Sequence, residues 1–353
     1  MREGKSISEI ESHHAGGSSP QSIPAPLLTI AIPTYNRSRY LRELLDSLRD
    51  DLRGETQVEL MVSDNCSSDD TPEVIERFKE QGMRIRSIRN TANIGADGNF
   101  AQCFALARGK YFWLIGDDDL VAPGAVPFIL TKCQSAEWDM IYLSQFPIKE
   151  PIGTLERKQP RKVVELTDPR EYARRVYVFF TFISANIVNR QKIAAAAHRA
   201  TSELKGTNLG QLAWTLAALD VFERGLFVHD ALVGARDNIA GGYQLFETFG
   251  PKLKAIVEKQ IRDPKVRRAI LNGTLRRFLP IFALLYKRSK IPFRENIAIE
   301  DRLTPAFRSY FLYWICLYPI LVLPYWMALA WYFPFRCLNR FSTEMRLRLE
   351  SGR

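Results

Sequence analysis

Downstream of a Gly/Ser/Pro-rich stretch (Gly16–Pro26), short apolar runs alternate with segments of helical periodicity. Leu27–Ile32 reads as a buried strand. Tyr40, Leu41, Leu44, Leu45, Leu48 and Leu52 then recur at helix spacing, and Val58–Val62 returns to strand character. This is a β-α-β unit. A second helix follows, with Asp70 or Thr71 as its cap and Pro72 in its first turn. Next come a strand at Arg84–Ile88, a helix over Asn99–Ala107, a strand at Tyr111–Ile115, a helix at Gly124–Cys133 and a strand at Trp138–Leu143. Such alternation predicts an α/β fold, a mostly parallel sheet with helices on both faces, whose ligands sit at the carboxyl ends of the strands.

The rhythm changes after Phe146. Lys149–Lys162 reads as a charged connection, Pro169–Phe180 as a helix, Phe182–Val188 as a strand and Leu209–Val221 as an apolar helix. Residues 251–308 read as basic helices. They run into Ser309–Phe335, 27 residues without a charge and crowded with Trp, Tyr and Phe. A helix of that length would exceed a ~30 Å hydrocarbon core, but Pro319, Pro324 and Pro334 interrupt it. One span, a kinked or interface-lying pair of helices, and a buried C-terminal helix all fit the pattern. The predicted organisation is a disordered tail (1–26), two halves of one α/β domain (27–147 and 148–250), a basic helical region (251–308) and a membrane-associated segment (309–353). No internal repeat is visible.

Length, 353 residues, suffices for a core without staples, and 46% hydrophobic with 25% charged residues is ordinary globular composition. The five cysteines form no C-x-x-C pair and no zinc pattern, which fits a reduced, cytosolic setting. Charge is uneven. Residues 1–250 hold 29 basic against 32 acidic side chains, and residues 251–353 hold 20 against 7. The basic block adjoins the aromatic segment and has no nucleic-acid reading motif. It therefore predicts contact with an anionic membrane surface and no nucleic acid. Met1–Ser22 has no apolar run, so the catalytic part is expected at the cytoplasmic face of the inner membrane.

Three strand ends release polar clusters: Pro33-Thr34-Tyr35-Asn36-Arg37, Asp64 through Asp70, and Gly116-Asp117-Asp118-Asp119. Three adjacent aspartates repel one another unless something positive sits among them, and Mg²⁺ or Mn²⁺ bridging a diphosphate meets that need. Tyr35 can stack on a base, Asp64 can accept a ring N–H and Arg37 can meet phosphate. Against this stand plainer readings: an Asx turn and helix cap for Asp64 through Thr71, and loop geometry for Asn93, Gly95 and Asn99.

LLTIAIPTYNR, VSDNCSSDDT, Asn93-Ile94-Gly95 through Asn99 and YFWLIGDDDLVAPGA resemble, in order and spacing, the family 2 glycosyltransferases of GT-A fold, closest to the abequosyltransferase-like branch. The resemblance is strong over residues 27–147 and weak over 180–245. It implies a metal-dependent, inverting enzyme of bacterial surface polysaccharide (O-antigen) synthesis. The donor would be a nucleotide-diphosphate sugar and the acceptor a polyprenyl-diphosphate-linked oligosaccharide. Carried over, the nucleotide falls on Pro33, Thr34, Tyr35, Arg37, Asp64, Asn93, Gly95, Asn99 and Asp117. The family's Asp-x-Asp metal motif falls on Asp118 and Asp119. Gly116 departs from the acidic residue often found there. The family's catalytic base opens a helix of the second lobe, where Lys205–Leu209 contains no acid. Glu203 is the nominal base, with Asp119 as the other candidate, and Arg236 and Asn238 match a late loop that meets diphosphate or acceptor.

Rival functions fare worse. No G-x-G-x-x-G follows the first strand, which excludes a Rossmann dehydrogenase, and no Gly-rich basic loop marks a nucleotidyltransferase. A non-catalytic, membrane-bound nucleotide-sugar scaffold is the remaining alternative.

Overall fold

The computed structural model describes residues 25–160, 162–236, 244–288 and 298–351, with side chains through Leu338. Nine strands among them are β1 (Leu28–Thr34), β2 (Val58–Asp64), β3 (Ile85–Arg89), β4 (Tyr111–Leu114), β5 (Leu120–Val121), β6 (Met140–Pro147), β7 (Val163–Leu166), β8 (Asn186–Asn189) and β9 (Gly225–Ala235). They form one mixed sheet in the order β3-β2-β1-β4-β8-β6-β9-β5, with β7 also on β9. β3, β2, β1 and β4 run parallel, and β8 inserts antiparallel between β4 and β6. β6 pairs parallel with β9, whereas β5 and β7 lie antiparallel on it.

Side-chain alternation along the strands sorts the core into two layers. Leu28, Ile30 and Ile32 of β1 point with Tyr111 and Trp113 of β4 into one cluster, while Ala31, Phe112 and Leu114 point into the other. The first layer is closed by the helices α1 (Ser38–Leu48) and α2 (Thr71–Glu80) and by α4 (Ala125–Ser135). α1 shows why: Leu41, Leu44, Leu45 and Leu48 recur at helix spacing and are fully buried. Each such leucine contributes about 2 kcal/mol of transfer free energy, an upper estimate.

The second layer holds α3 (Ala96–Leu106), α5 (Pro169–Val176), α6 (Arg190–Glu203) and α7 (Leu212–Asp220), where Phe104 stacks on Trp214 at 5.3 Å between centroids. The same cluster continues through Leu253, Leu271, Leu303, Tyr313, Ile320 and Tyr332. The basic helices and the apolar segment are thus built onto the second layer and share one core with it.

Several expectations change here. The side chain that bonds the start of α2 is Asp69, which accepts from the Thr71 N–H and hydroxyl and from the Ser38 N–H; neither Asp70 nor Thr71 does so. The expected strand Phe182–Val188 starts only at Asn186, because Ile183–Ala185 forms a 3-10 turn. Asn186 fixes that turn by donating to the Phe179 and Phe182 carbonyls.

Ser309–Phe335 does not make one span. Tyr313–Val322 ends at an extended Leu323 ahead of Pro324, and a second helix starts at Tyr325. Among the described residues, no helix is long and apolar enough to cross a membrane. Of the predicted tail, residues 1–24 lie outside the described residues, as does Asn238.

Candidate active site

The three polar clusters meet at the carboxyl ends of β1, β2 and β4, around a cavity of about 390 Å³. Pro33, Thr34, Tyr35, Arg37, Asn93, Gly95, Asn99, Asp117 and Asp118 all line it, together with Asn65, Phe100 and Ile183. The loops are stitched to one another before any ligand is considered. Asn36, in left-handed backbone, accepts the Ser68 N–H and donates its own N–H to Ser67 Oγ. Asn65 accepts from Asn90 Nδ2 and the Ile94 N–H and donates to Asn93 Oδ1. Gly95 completes this turn at φ +79°, a conformation that costs a side-chain-bearing residue strain. Asn99 and Ser63 satisfy each other beneath it.

Arg37 reaches across from the β1 loop to the acidic loop, its Nη1 lying 3.1 Å from Asp117 Oδ1 and 2.9 Å from Asp118 Oδ2. The chain itself therefore supplies a positive group among the aspartates. Burial pushes the Asp117 carboxyl up to about 6, against the pull of Arg37. Burial likewise pushes Asp119 up to about 7, against the bond it receives from the Ser184 hydroxyl. Ser184 in turn accepts the Gly116 N–H, so the 3-10 turn before β8 clamps both ends of the acidic loop.

Arg236 stands behind that loop. Its Nε donates to the Asp118 carbonyl at 2.8 Å, its other nitrogens meet Glu43 and Glu150, and its guanidinium lies over Tyr40. Arg236 is not among the residues that line the cavity, and in this structure its guanidinium braces the loop from the rear.

Two further candidates are placed differently from expectation. The Asp64 carboxylate accepts the Ser67 N–H and pairs with Arg89, the Asx-turn geometry of the plainer reading, and Asn65 takes the cavity position. Glu203 ends α6 on Lys259, 2.8 Å away, and does not line the cavity. Lys205–Leu209, which has no acid of its own, is held by one from another element. Asp97, in the first turn of α3, accepts the Asn208 and Gly210 N–H groups at 3.1 Å each. Neither Asp97 nor Ser184 was legible in the sequence, because each works across more than sixty residues of chain.

Among the described residues no group of three or more His, Cys, Asp or Glu side chains is arranged to hold a metal. A site of another kind does fit. A Cβ on Gly116 would come within 3.1 Å of both Asp118 Oδ1 and Asp119 Oδ2, so hard oxygen donors converge where this glycine leaves room. Asp118 and Asp119 are the carboxylates that could hold a cation there, Asp119 with one oxygen already bonded to Ser184, and the remaining oxygens would come from ligand phosphate and water.

The two raised carboxyls carry a stability prediction. Each binds its proton more tightly folded than unfolded, so the free protein loses stability as pH rises from about 4 through about 7. In EDTA the melting temperature of the wild type should fall between pH 5 and pH 8. Asp119→Asn should flatten that fall and gain roughly 2 kcal/mol at pH 8. Equal slopes in thermal denaturation would contradict the assignment.

A family model for glycosyl transferase family 2 matches residues 29–196. Abequosyltransferase RfbV of Salmonella typhimurium is 37% identical over 110 residues, 31% of this chain and 33% of that protein. The GalNAc(5)-diNAcBac-PP-undecaprenol beta-1,3-glucosyltransferase of Campylobacter jejuni is 30% identical over 108 residues, 30% of this chain and 34% of its own. The chain thus spans about a third of the length of these curated relatives. In fold it is similar to TarS of S. aureus, with TM-score 0.55 at 16% identity over 81% of this chain and 52% of TarS. It is also similar to TarS 1-349 in complex with UDP-GlcNAc, with TM-score 0.52 at 17% identity over 70% and 72%. The matched segment begins one residue into β1 and takes in every cavity-lining residue, so the likeness to glycosyl transferase family 2 covers the whole candidate site.

Proposed function

We propose that this chain moves a sugar from a nucleotide-diphosphate sugar onto a polyprenyl-diphosphate-linked glycan, with inversion, at the cytoplasmic face of the inner membrane during surface polysaccharide synthesis. The observation that carries the reading is the convergence of Tyr35, Arg37, Asp117 and Asp118 on one cavity wall. Tyr35 is well exposed there and offers a ring for a base to stack on. Arg37, already between two carboxylates, can turn a charged hydrogen bond toward phosphate. Asp118 would hold Mg²⁺ or Mn²⁺, which when bound supplies positive charge to the departing diphosphate.

The chemistry is one displacement: the bond from the sugar's anomeric carbon to the diphosphate oxygen breaks as the acceptor oxygen bonds to that carbon, and the acceptor's proton passes to a carboxylate. Glu203, paired with Lys259 away from the cavity-lining residues, has the weaker support for that role. Asp119 remains the candidate: its Oδ2 lies next to Gly116, which lines the cavity, and at about 7 its carboxyl suits proton exchange near neutrality. The acceptor class follows the printed name of the Campylobacter relative, which acts on an undecaprenyl diphosphate-linked glycan.

The test is incubation of the purified chain with UDP-, dTDP- and GDP-sugars, with and without Mn²⁺. The expected result is Mn²⁺-dependent release of one nucleoside diphosphate, faster with a lipid-linked acceptor. Binding without release would favour the scaffold reading, and no binding would overturn both.

A further inference from the structure

Tyr325–Leu338 is apolar around most of its circumference, yet it buries only the stripe Tyr325, Ala328, Tyr332 and Phe335 against the protein. A helix apolar on all sides belongs inside a core or a membrane, and the protein itself covers only one side of this one. Trp326 is 71% exposed and Phe333 63%, and on the preceding segment Phe311 is 74% exposed. Leu329 and Trp331 extend the same aromatic surface. The indole N–H groups of Trp314 and Trp331 are already bonded to the Arg308 and Ile315 carbonyls, so these rings can leave water without stranding a donor.

Charge decides what covers this face. Arg308 and Arg336, both exposed, flank the uncharged stretch, and residues 252–308 carry 15 basic against 5 acidic side chains. A second copy of the chain would bring this positive charge against itself, whereas anionic headgroups complement it. The helix runs on to Ser351, but its uncharged part, Tyr325–Phe335, is only about 17 Å long at 1.5 Å per residue, short of a ~30 Å core. We infer that the exposed face bearing Phe311, Trp326, Leu329, Trp331 and Phe333 docks in the headgroup region of an anionic bilayer, with the helix lying along the surface and not crossing it. It rests on the proposed reading only for its purpose, holding the active site over a lipid-borne acceptor.

Because Tyr313, Leu317, Ala328 and Tyr332 are core residues, truncating the segment would unfold more than an anchor, and point changes on the outer face are the sound probe. The full chain is floated with vesicles of phosphatidylcholine alone or with 30 mol% phosphatidylglycerol, and compared with Trp326→Glu/Phe333→Glu. Wild type should float with the anionic vesicles at least ten-fold more than with the neutral ones, and salt should weaken this binding. The double variant should lose at least ten-fold while keeping its melting temperature and nucleotide-sugar binding. Equal flotation of variant and wild type, or a wild-type dimer that the variant dissociates, would overturn the inference. Should the variant melt early, Trp326→Ser alone carries the test, with the same required loss. Vesicle binding without nucleotide-sugar binding would sink the proposed function and leave this surface standing.

Discussion

Asp118→Asn is expected to leave the chain folded and to lower sugar transfer by about a thousand-fold, the scale for removing a group that stabilises developing charge. Asp118 lines the cavity, is only partly buried, and has one oxygen on Arg37 and the other beside Gly116. An asparagine keeps the shape but cannot hold a hard cation as a carboxylate does, nor pair with a guanidinium. Mn²⁺ dependence of donor binding should vanish in the same variant. Initial rates at saturating donor, read with and without Mn²⁺, check this, and unchanged turnover would remove Asp118 from the site.

Arg236→Ala should harm the molecule from the other side of the loop. It leaves the Asp118 carbonyl without its donor, and Glu43 and Glu150 without their buried cation. Because Glu43 and Glu150 keep some access to water, the stability cost is moderate, about 2 kcal/mol. Activity should fall at least ten-fold through kcat, since the loop that positions Asp118 loses its rear support. Urea denaturation and steady-state kinetics separate the two effects. A loss confined to KM for the donor would instead return Arg236 to the ligand-binding role expected from sequence.

How far the sequence could be read depended on how local each signal was. The strands β1, β2 and β4 are short apolar runs ending in polar clusters, and their order alone brought Pro33–Arg37 and Gly116–Asp119 together. Where partners are distant in sequence the reading ran out. Asp64 resembled a ligand because its pairing with Arg89, 25 residues away, left no local trace, whereas its bond to Ser67 is the Asx turn that the plainer reading had offered. Arg236 matched a ligand-meeting loop, and its side chain is buried among groups 86 to 193 residues away. The helix α6 was missed because its alanine-rich face buries only Ile193 and Ala197, too little to set up an apolar stripe. The aromatic C-terminal stretch carried a true membrane-like composition, but periodicity could not tell that its inner stripe completes the core.

The relation between Arg37 and the aspartates lies at the centre of this account. The free chain balances its acidic loop with a guanidinium, and the nucleotide-sugar diphosphate with its cation should take that place. A crystal of the chain with Mn²⁺ and a hydrolysis-resistant UDP-sugar tests this directly. The base should lie over Tyr35, the cation between Asp118 and the diphosphate, and Arg37 should have turned from Asp118 onto phosphate oxygen. A nucleotide bound elsewhere, with the Arg37–Asp118 pair intact, would contradict it.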